Sequence, residues 1–432
     1  MQNFVKFKLN SKGKNTLLSL FLTAIIVLSL FCFSCSLVPV TPPPTPQPTP
    51  PPTPNPPPTE SLPEAELNVY YLNVGQGDCI LICFPDGKTM LMDSGSSAGG
   101  SVDTVTAKLD ELNIKTIDYV LLTHVDSDHC KYIADVIAHV EQVKCCYLPK
   151  IKSSSYDLGL SKDYKTKDTN VYNETIKACL ESTYIENEQS KSAEIKFTVD
   201  EVTISGTGYT FTMYCRSDQY YLNMKTSDSY DINDVSPICV LEFRGRKLIF
   251  AGDANNTEKH SGEHGSSEGN FLEVMNSKGI TDENFDADVL KVAHHGSSGS
   301  SGDDFLGFID VEYAVVSVGG NPKDSAESYN LYVNNQQIVD NAVCNIYPNR
   351  SYEHPSKEVC STEGRLKTNG VQQVYYTWFN GTIKCNVDTN GNITFNAQSV
   401  AVTENGVITF TQVTAVFNVI NTSLPTIKRY YI

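Results

Sequence analysis

Positive charge is what this sequence has least of. Against 50 aspartates and glutamates stand 33 lysines and arginines, a formal net charge of −17. Four of the lysines (Lys6, Lys8, Lys12, Lys14) fall in the first 34 residues, and without that segment the charge is −21. Such a body repels polyanions at long range, which counts against a dedicated nucleic-acid binder while leaving room for a local basic strip. A tight cysteine framework is also missing. The 13 cysteines are odd in number and scattered, and the C-x-x-C spacing occurs only from Cys32 to Cys35. This excludes a small disulfide-stapled scaffold, and most cysteines read as small buried apolar residues; the adjacent Cys145 and Cys146 are not expected to pair with each other. No repeat period of the kind that builds a solenoid is present.

What is there begins with an amino-terminal address. Residues 1–34 combine the four lysines, no acid and no arginine, and an apolar run from Leu17 to Phe33. This is the plan of a secretory signal, and Cys35 after Ser34 is placed as the lipidated residue of an exported, cell-surface lipoprotein. Cys32 stands where a leucine is usual, and an uncleaved membrane anchor is the alternative, since the run is just long enough to span a bilayer. Residues 35–63 form a linker, almost all proline, threonine and spacers from residue 39, which runs as extended polyproline II and holds the rest away from the membrane.

From Leu67 the pattern is strand-rich. LNVYYLNV, DCILICF and TMLMD are separated by the Gly75-Gln76-Gly77 and Pro85-Asp86-Gly87 turns. Residues 102–112 read as an amphipathic helix, IDYVLLT as a strand, and 130–140 as a helix. Residues 150–190 are polar and weakly patterned, an expected insertion. EIKFTVDEVTIS, TFTMYC, ICVLEF and KLIFAGD resume the strands; a short helix is expected at 270–277, then the strands ADVLKVA and EYAVVSV. Hairpin signals follow at Asn380-Gly381, Asn390-Gly391 and Asn405-Gly406. Such β-to-α steps imply layered sheets with helices outside.

Chemistry concentrates at three strand ends. His124-Val-Asp126-Ser-Asp128-His129 puts two imidazoles and two carboxylates within six residues, directly after an apolar strand. Divalent metals favour nitrogen and oxygen donors packed this closely; a solvated loop with helix-capping acids is the plainer alternative. Asp253 closes KLIFAGD, and taken singly reads as a turn acid. His294-His295 closes ADVLKVA. Neighbours on a strand point to opposite faces, but at a strand exit both reach one site. Strand ends are where such sheets carry function.

These motifs resemble the metallo-β-lactamase superfamily, and more closely the soluble domain of the ComEC competence family and the related phosphorylcholine esterases. The segments that carry the likeness are YLNVGQGDCILI, LMDSG, IDYVLLTHVDSDH, NDVSPICVLEFRGRKLIFAGD, ADVLKVAHHGSS, AVVSVGGN, EHPS and VYYTWFNGTI, about 67 to 385. The resemblance implies an α/β fold, an αββα sandwich over 64–390, with a β-rich C-terminal extension over 391–432. It implies two divalent metal ions, zinc or manganese. His124, Asp126 and Asp253 would hold one; Asp128, His129, Asp253 and His295 the other. A third histidine for the first ion has no counterpart, because His139 alone lies between His129 and Asp253 and sits in an expected helix; Asn233 or Asp234 is nearest the missing position. An oxygen-rich site of that kind favours manganese. The glycine pair that often follows the aspartate-histidine step is replaced by Lys131-Tyr132. A hydroxide bridging the ions would attack a phosphorus or carbonyl centre. Asp128 would orient it and take a proton, while His294 or His354 would serve the substrate oxygens. His260 and His264 have no assigned role.

The implied function is an exported two-metal phosphodiesterase or nuclease, with a phosphoester or nucleic acid as partner. The alternatives are hydrolysis of another envelope ester, such as a phosphocholine ester, which suits the acidic charge better, and a non-catalytic binding module, which the nearly complete ligand set opposes. The oligomeric state is not legible.

Overall fold

Side-chain alternation along each strand decides which core it feeds. In β1 (Leu67–Tyr71), Leu67, Val69 and Tyr71 enter one buried cluster, while Tyr70, and Leu72 just beyond, enter another. A strand buried on both faces belongs to an inner layer. The computed structural model describes residues 65–95, 102–257, 265–318 and 361–397, and beyond them four short strands, Tyr332–Val333, Gln336–Gln337, Val400–Glu404 and Val407–Thr411. The chain divides into units 1–60 and 61–432, and all described residues belong to the second.

The next strands are β2 (Ile80–Cys83), β3 (Thr89–Met92), β4 (Thr116–Leu121), β5 (Gln142–Leu148) and β6 (Glu194–Phe197). After these come β7 (Glu201–Gly206), β8 (Tyr209–Tyr214), β9 (Ile238–Phe243), β10 (Arg246–Phe250), β11 (Val289–Lys291), β12 (Tyr313–Val316) and β13 (Gln373–Tyr376). Two more, β14 (Ile383–Val387) and β15 (Ile393–Ala397), complete the set. They form an eight-stranded sheet in the order β6-β5-β4-β3-β2-β1-β14-β15 and a seven-stranded sheet in the order β7 to β13. β3, β4 and β5 run parallel, as do β10, β11 and β12.

The helices that matter for packing are α1 (Val102–Glu111), α2 (Ser127–Cys130), α3 (Ile133–His139), α4 (Asn170–Glu181), α5 (Ser229–Asn233), α6 (Ser267–Ser277) and α7 (Asp303–Ile309). Between the sheets, Ile80 and Met92 of the first pack with Phe211, Leu241, Phe250 and Val315 of the second. The outer face of the first sheet buries Leu81, Leu91 and Val120 under Leu109 of α1, Val136 of α3 and Tyr172, Ile176 and Cys179 of α4. The outer face of the second buries Val240, Ile249 and Leu290 under Phe271 of α6 and Phe305 and Ile309 of α7. The layers are therefore helix, sheet, sheet, helix, as the resemblance implies.

Four local readings change. EIKFTVDEVTIS is not one strand: β6 ends at Phe197, Asp200 takes a left-handed φ of 56°, and β7 continues in the other sheet. The expected insertion at 150–190 contains α4, whose Tyr172, Ile176 and Cys179 are core residues. Its buried face also holds Asn173 and Thr175, and these polar residues mask the helical period. The helix expected at 130–140 begins earlier, as α2 and then α3. The boundary at 390/391 cuts a hairpin, because β15 pairs in register with β14 (Val387 with Ile393) across the Asn390-Gly391 turn. No helix among the described residues is long and apolar enough to cross a membrane; the run from Leu17 to Phe33, the linker, His260, His264 and His354 lie outside them. The nine described cysteines are all free, and all but Cys83 are buried.

Candidate metal centre

The parallel strands β3, β4, β10 and β11 deliver their carboxyl-terminal loops to one place. Asp93 follows β3, His124 to His129 follow β4, Asp253 follows β10, and His294 and His295 follow β11. Backbone strain shapes these loops: Asp93, His294 and His295 are left-handed, with φ of 58°, 50° and 51°. Such conformations persist only where the surroundings over-determine them. Two glycines are obligatory. A Cβ on Gly252 (φ 48°) would stand 2.9 Å from the Ser236 side chain, and one on Gly77 would stand 2.2 Å from the Asp128 carbonyl oxygen. Gly252 sets the direction of Asp253, and Gly77 lets the β1–β2 loop pack beneath α2.

Hydrogen bonds fix the imidazoles. His129 Nδ1 is 2.8 Å from Asp93 Oδ2, and His295 Nδ1 is 2.8 Å from the Ser317 carbonyl oxygen. Both acceptors require Nδ1 to carry a proton, so that in the neutral ring each Nε2 presents a lone pair. Thr123 Oγ1 donates to Asp93 Oδ2 at 2.6 Å and therefore accepts from His124 Nδ1 at 3.2 Å. The buried His124 Nε2 then has no hydrogen-bond partner.

The free donors converge. His129 Nε2 is 3.1 Å from Asp253 Oδ1 and 3.3 Å from His295 Nε2; His295 Nε2 is 3.4 Å from Asp128 Oδ2 and 3.5 Å from Asp253 Oδ2. A tetrahedral ion with bonds of about 2.0–2.1 Å has ligand–ligand edges of about 3.3 Å. The spacing thus fits a divalent ion held by Asp128, His129, Asp253 and His295. A looser group adjoins it: His124 Nε2 lies 4.0 Å from Asp126 Oδ2 and 3.9 Å from Asp253 Oδ2, and His294 Nε2 lies 3.6 Å from Asp253 Oδ2. Asp253 stands between the two groups.

Asp78, Asp93 and His129 also come close enough to hold an ion. Three of their four carboxylate oxygens are already engaged, however, and the fourth, Asp78 Oδ1, is buried without a hydrogen-bond partner. Both oxygens of Asp93 bind Thr123, and Asp78 Oδ2 is paired with the ammonium of Lys291. We read these two acids as supports behind the ligands. Asp78 Oδ1 lies 3.4 Å from His295 Nδ1, and Lys291, wholly buried, also donates to the Gly252 carbonyl at 3.1 Å.

The charges of the metal-free cluster follow from this packing. Burial pushes His124 and His294 below the ordinary histidine value. Burial acts the same way on His129 and His295, but carboxylates overcome it. Asp253 and Asp93 hold His129 well above its usual value, and Asp253, Asp128 and Asp78 push His295 up to about 10. The imidazoles in turn hold Asp128 and Asp253 below the carboxylate range against their burial.

A raised histidine stabilises the metal-free fold fully below its unfolded value near 6.5, and that contribution is lost as pH rises through about 10. An ion needs the neutral ring, so metal and proton compete. The rise in Tm on adding Zn2+ or Mn2+ should therefore grow from about pH 6 to about pH 8.5. A rise independent of pH would exclude these imidazoles as ligands.

Of the residues expected from sequence, His124, Asp126, Asp128, His129, Asp253, His294 and His295 meet here. Asn233, at the end of α5, places Nδ2 3.4 Å from His294 Nδ1. Asp234 is turned away, accepting from the backbone of Asn255 and Ser267. His139 pairs with Asp110 instead. His294 and His295 both reach the site from beyond the strand end, as expected of a strand exit, so strand alternation does not set their directions. β11 ends at Lys291, and the pair occupies a tight turn with two successive left-handed residues. Asp78, Asp93, Lys291 and Ser236 were not singled out, although GQGD, LMDSG, LKVA and NDVSP contain them. Ser236 Oγ receives the Asp253 amide at 3.1 Å and lies 3.3 Å from His124 Nδ1.

Similarity to known proteins covers part of the chain. The model of the metallo-beta-lactamase superfamily matches residues 72–162. ComE operon protein 3 of Bacillus subtilis (strain 168) is 24% identical over 273 residues, covering 60% of this chain; the match spans 29% of that protein's length. Similar solved structures include the metallo-beta-lactamase fold protein YhfI of Bacillus subtilis, with 9% identity, 59% of this chain and 88% of that one covered, and a TM-score of 0.33. Another is MEM-A1, a subclass B3 metallo-beta-lactamase isolated from a soil metagenome library, with 12% identity, 53% and 78% covered, and a TM-score of 0.30. With its four layers, its histidine–aspartate cluster and the superfamily match confined to residues 72–162, this chain has a metallo-β-lactamase-type fold, one that generally serves metal-dependent hydrolases, and it resembles the ComEC-type branch.

Proposed function

We propose that the domain is a two-metal phosphodiesterase or nuclease of the ComEC-like type, exported and held at the cell surface through lipidated Cys35. The observation that carries this reading is the position of Asp253 between two donor groups, which suits a carboxylate shared by two ions. His124, Asp126 and Asp253 hold one ion, and Asp128, His129, Asp253 and His295 hold the other. When bound, such ions supply an acidic water and Lewis acidity toward a phosphoryl oxygen.

The chain's own groups do the rest. The carboxylate of Asp128, 32% exposed, is open enough to orient a water and receive its proton. His294 differs from the ligand histidines. Its Nδ1 accepts from the Asn233 amide, so Nε2 carries the proton and donates rather than ligates. With its side chain 22% exposed, it faces the substrate. Asn233 orients His294 through its amide nitrogen; the oxygen-rich set of His124, Asp126 and Asp253 would favour manganese. His354, outside the described residues, remains a candidate for the same role.

Metal analysis of protein loaded with Zn2+ or Mn2+, followed by turnover of bis-p-nitrophenyl phosphate, a phosphocholine ester and single- and double-stranded DNA, tests the reading. Two bound ions and phosphodiester turnover are expected. His295→Ala should lose metal, while His294→Ala should keep metal and lose kcat. Two ions with no turnover of bis-p-nitrophenyl phosphate or DNA would overturn it. Turnover of the phosphocholine ester alone would instead support the second reading, an envelope-ester hydrolase, which the net charge of −17 favours.

A further inference from the structure

Five carboxylates crowd the centre, those of Asp78, Asp93, Asp126, Asp128 and Asp253, on a strongly acidic chain. Two lysines reach them. Lys291 is wholly buried on Asp78. The other, Lys167, comes from the stretch expected to be a polar insertion, and its Nζ lies 3.5 Å from Asp126 Oδ1 at the rim, with its side chain 19% exposed.

The backbone that presents Lys167 is fixed at several points. Thr166 and Lys167 pair in parallel with Lys152 and Ser153. The Lys152 amide donates to the Lys165 carbonyl at 2.8 Å, and Thr226 Oγ1 donates to the Thr166 carbonyl at 2.9 Å. Two residues later Thr169 caps α4, receiving the Tyr172 amide. α4 is itself bound to the ligand turn, where Thr175 Oγ1 donates to the Cys130 carbonyl at 3.1 Å. The segment therefore holds a cation in register with the turn that carries Asp126, Asp128 and His129.

A half-buried lysine–aspartate pair at the rim, 3.5 Å apart and without a hydrogen bond, contributes little to stability, so stability alone is a weak reason for this construction. Among the described residues the ammonium makes this one ion pair and no hydrogen bond, and it retains its donors for a ligand. We propose that Lys167 is the substrate-anion recognition residue of the centre. It binds a negatively charged, non-reacting oxygen of the substrate and makes the site select anionic phosphoesters over neutral esters. A cation at the mouth also offsets, locally, the repulsion an anion meets from the acidic body. The inference rests on the phosphoesterase reading above.

The test uses the full chain loaded with Mn2+, as wild type, Lys167→Ala, Lys167→Arg and Lys167→Glu. Calorimetric binding of inorganic phosphate is measured beside bound metal, Tm, and KM and kcat for bis-p-nitrophenyl phosphate. Loss of a charged hydrogen bond should weaken phosphate binding and raise KM by roughly tenfold in Lys167→Ala, and more in Lys167→Glu, with kcat, metal content and Tm held. Lys167→Arg should recover most of both. Unchanged phosphate affinity and KM would overturn the proposal. So would loss of metal in Lys167→Ala, since that would make the lysine a prop for Asp126. A wild type that binds phosphate through Lys167 but hydrolyses no phosphodiester would sink the phosphodiesterase reading and leave the anion site standing.

Discussion

Asp253→Asn should strip the protein of metal and of turnover together while leaving the fold in place. The amide keeps the shape of the carboxylate, so the buried loop is not left with a void. It removes the charge that faces His129, His295, His294 and His124 at 3.1 to 3.9 Å. Losing a group that merely supports a ligand costs about 10–100-fold in affinity or activity. A carboxylate shared by two ions should exceed the upper end of that range on both counts. Metal analysis should find at most one weakly held ion, kcat/KM should fall by more than about 100-fold, and the metal-free Tm should change far less than the metal-loaded Tm. An Asn variant with two ions and wild-type turnover would remove Asp253 from the centre.

Lys291→Met is the substitution with the largest expected effect on folding. Lys291 is 0% exposed, Asp78 is 1% exposed, and their side chains are paired. Removing one partner of such a pair leaves a buried charge uncompensated and typically costs about 3–5 kcal/mol. Urea titration of the chelated protein should show that loss. Adding Asp78→Asn should recover most of it, because the pair then becomes an apolar side chain beside a neutral amide. The double variant should still bind metal more weakly than wild type, because the negative charge beside His295 and His129 is gone. A single variant as stable as wild type would show that Asp78 finds its compensation elsewhere.

How much of this was legible beforehand depended on whether a residue's role is local. His124 to His129, Asp253 and the histidine pair stand at the ends of apolar runs, so position and chemistry were both visible. Asp78 and Asp93 are single acids whose function arises only when the β1–β2 and β3 loops fold against His129 and His295. The two-sheet plan showed as alternating runs, but alternation does not say which sheet a strand joins, and the change of sheet at Asp200 hangs on one left-handed residue. α4 was missed because Asn173 and Thr175 occupy its buried face. The direction of His294 was unreadable for a similar reason, since strand periodicity says nothing about two successive left-handed residues.

The donors of the centre come from both sheets: His124, Asp128 and His129 hang from the first, and Asp253 and His295 from the second. An ion held there is consequently a cross-link between the halves of the sandwich. The ion on Asp128, His129, Asp253 and His295 would close the chain on itself from residue 128 to residue 295, much as a staple would, in a protein whose described cysteines form no disulfide. Ligand binding to the folded state alone adds stability that grows with the logarithm of ligand concentration. The lifetime of this domain against proteolysis should thus follow the free divalent metal of its surroundings, and scarcity of the ion would remove the protein as well as its activity.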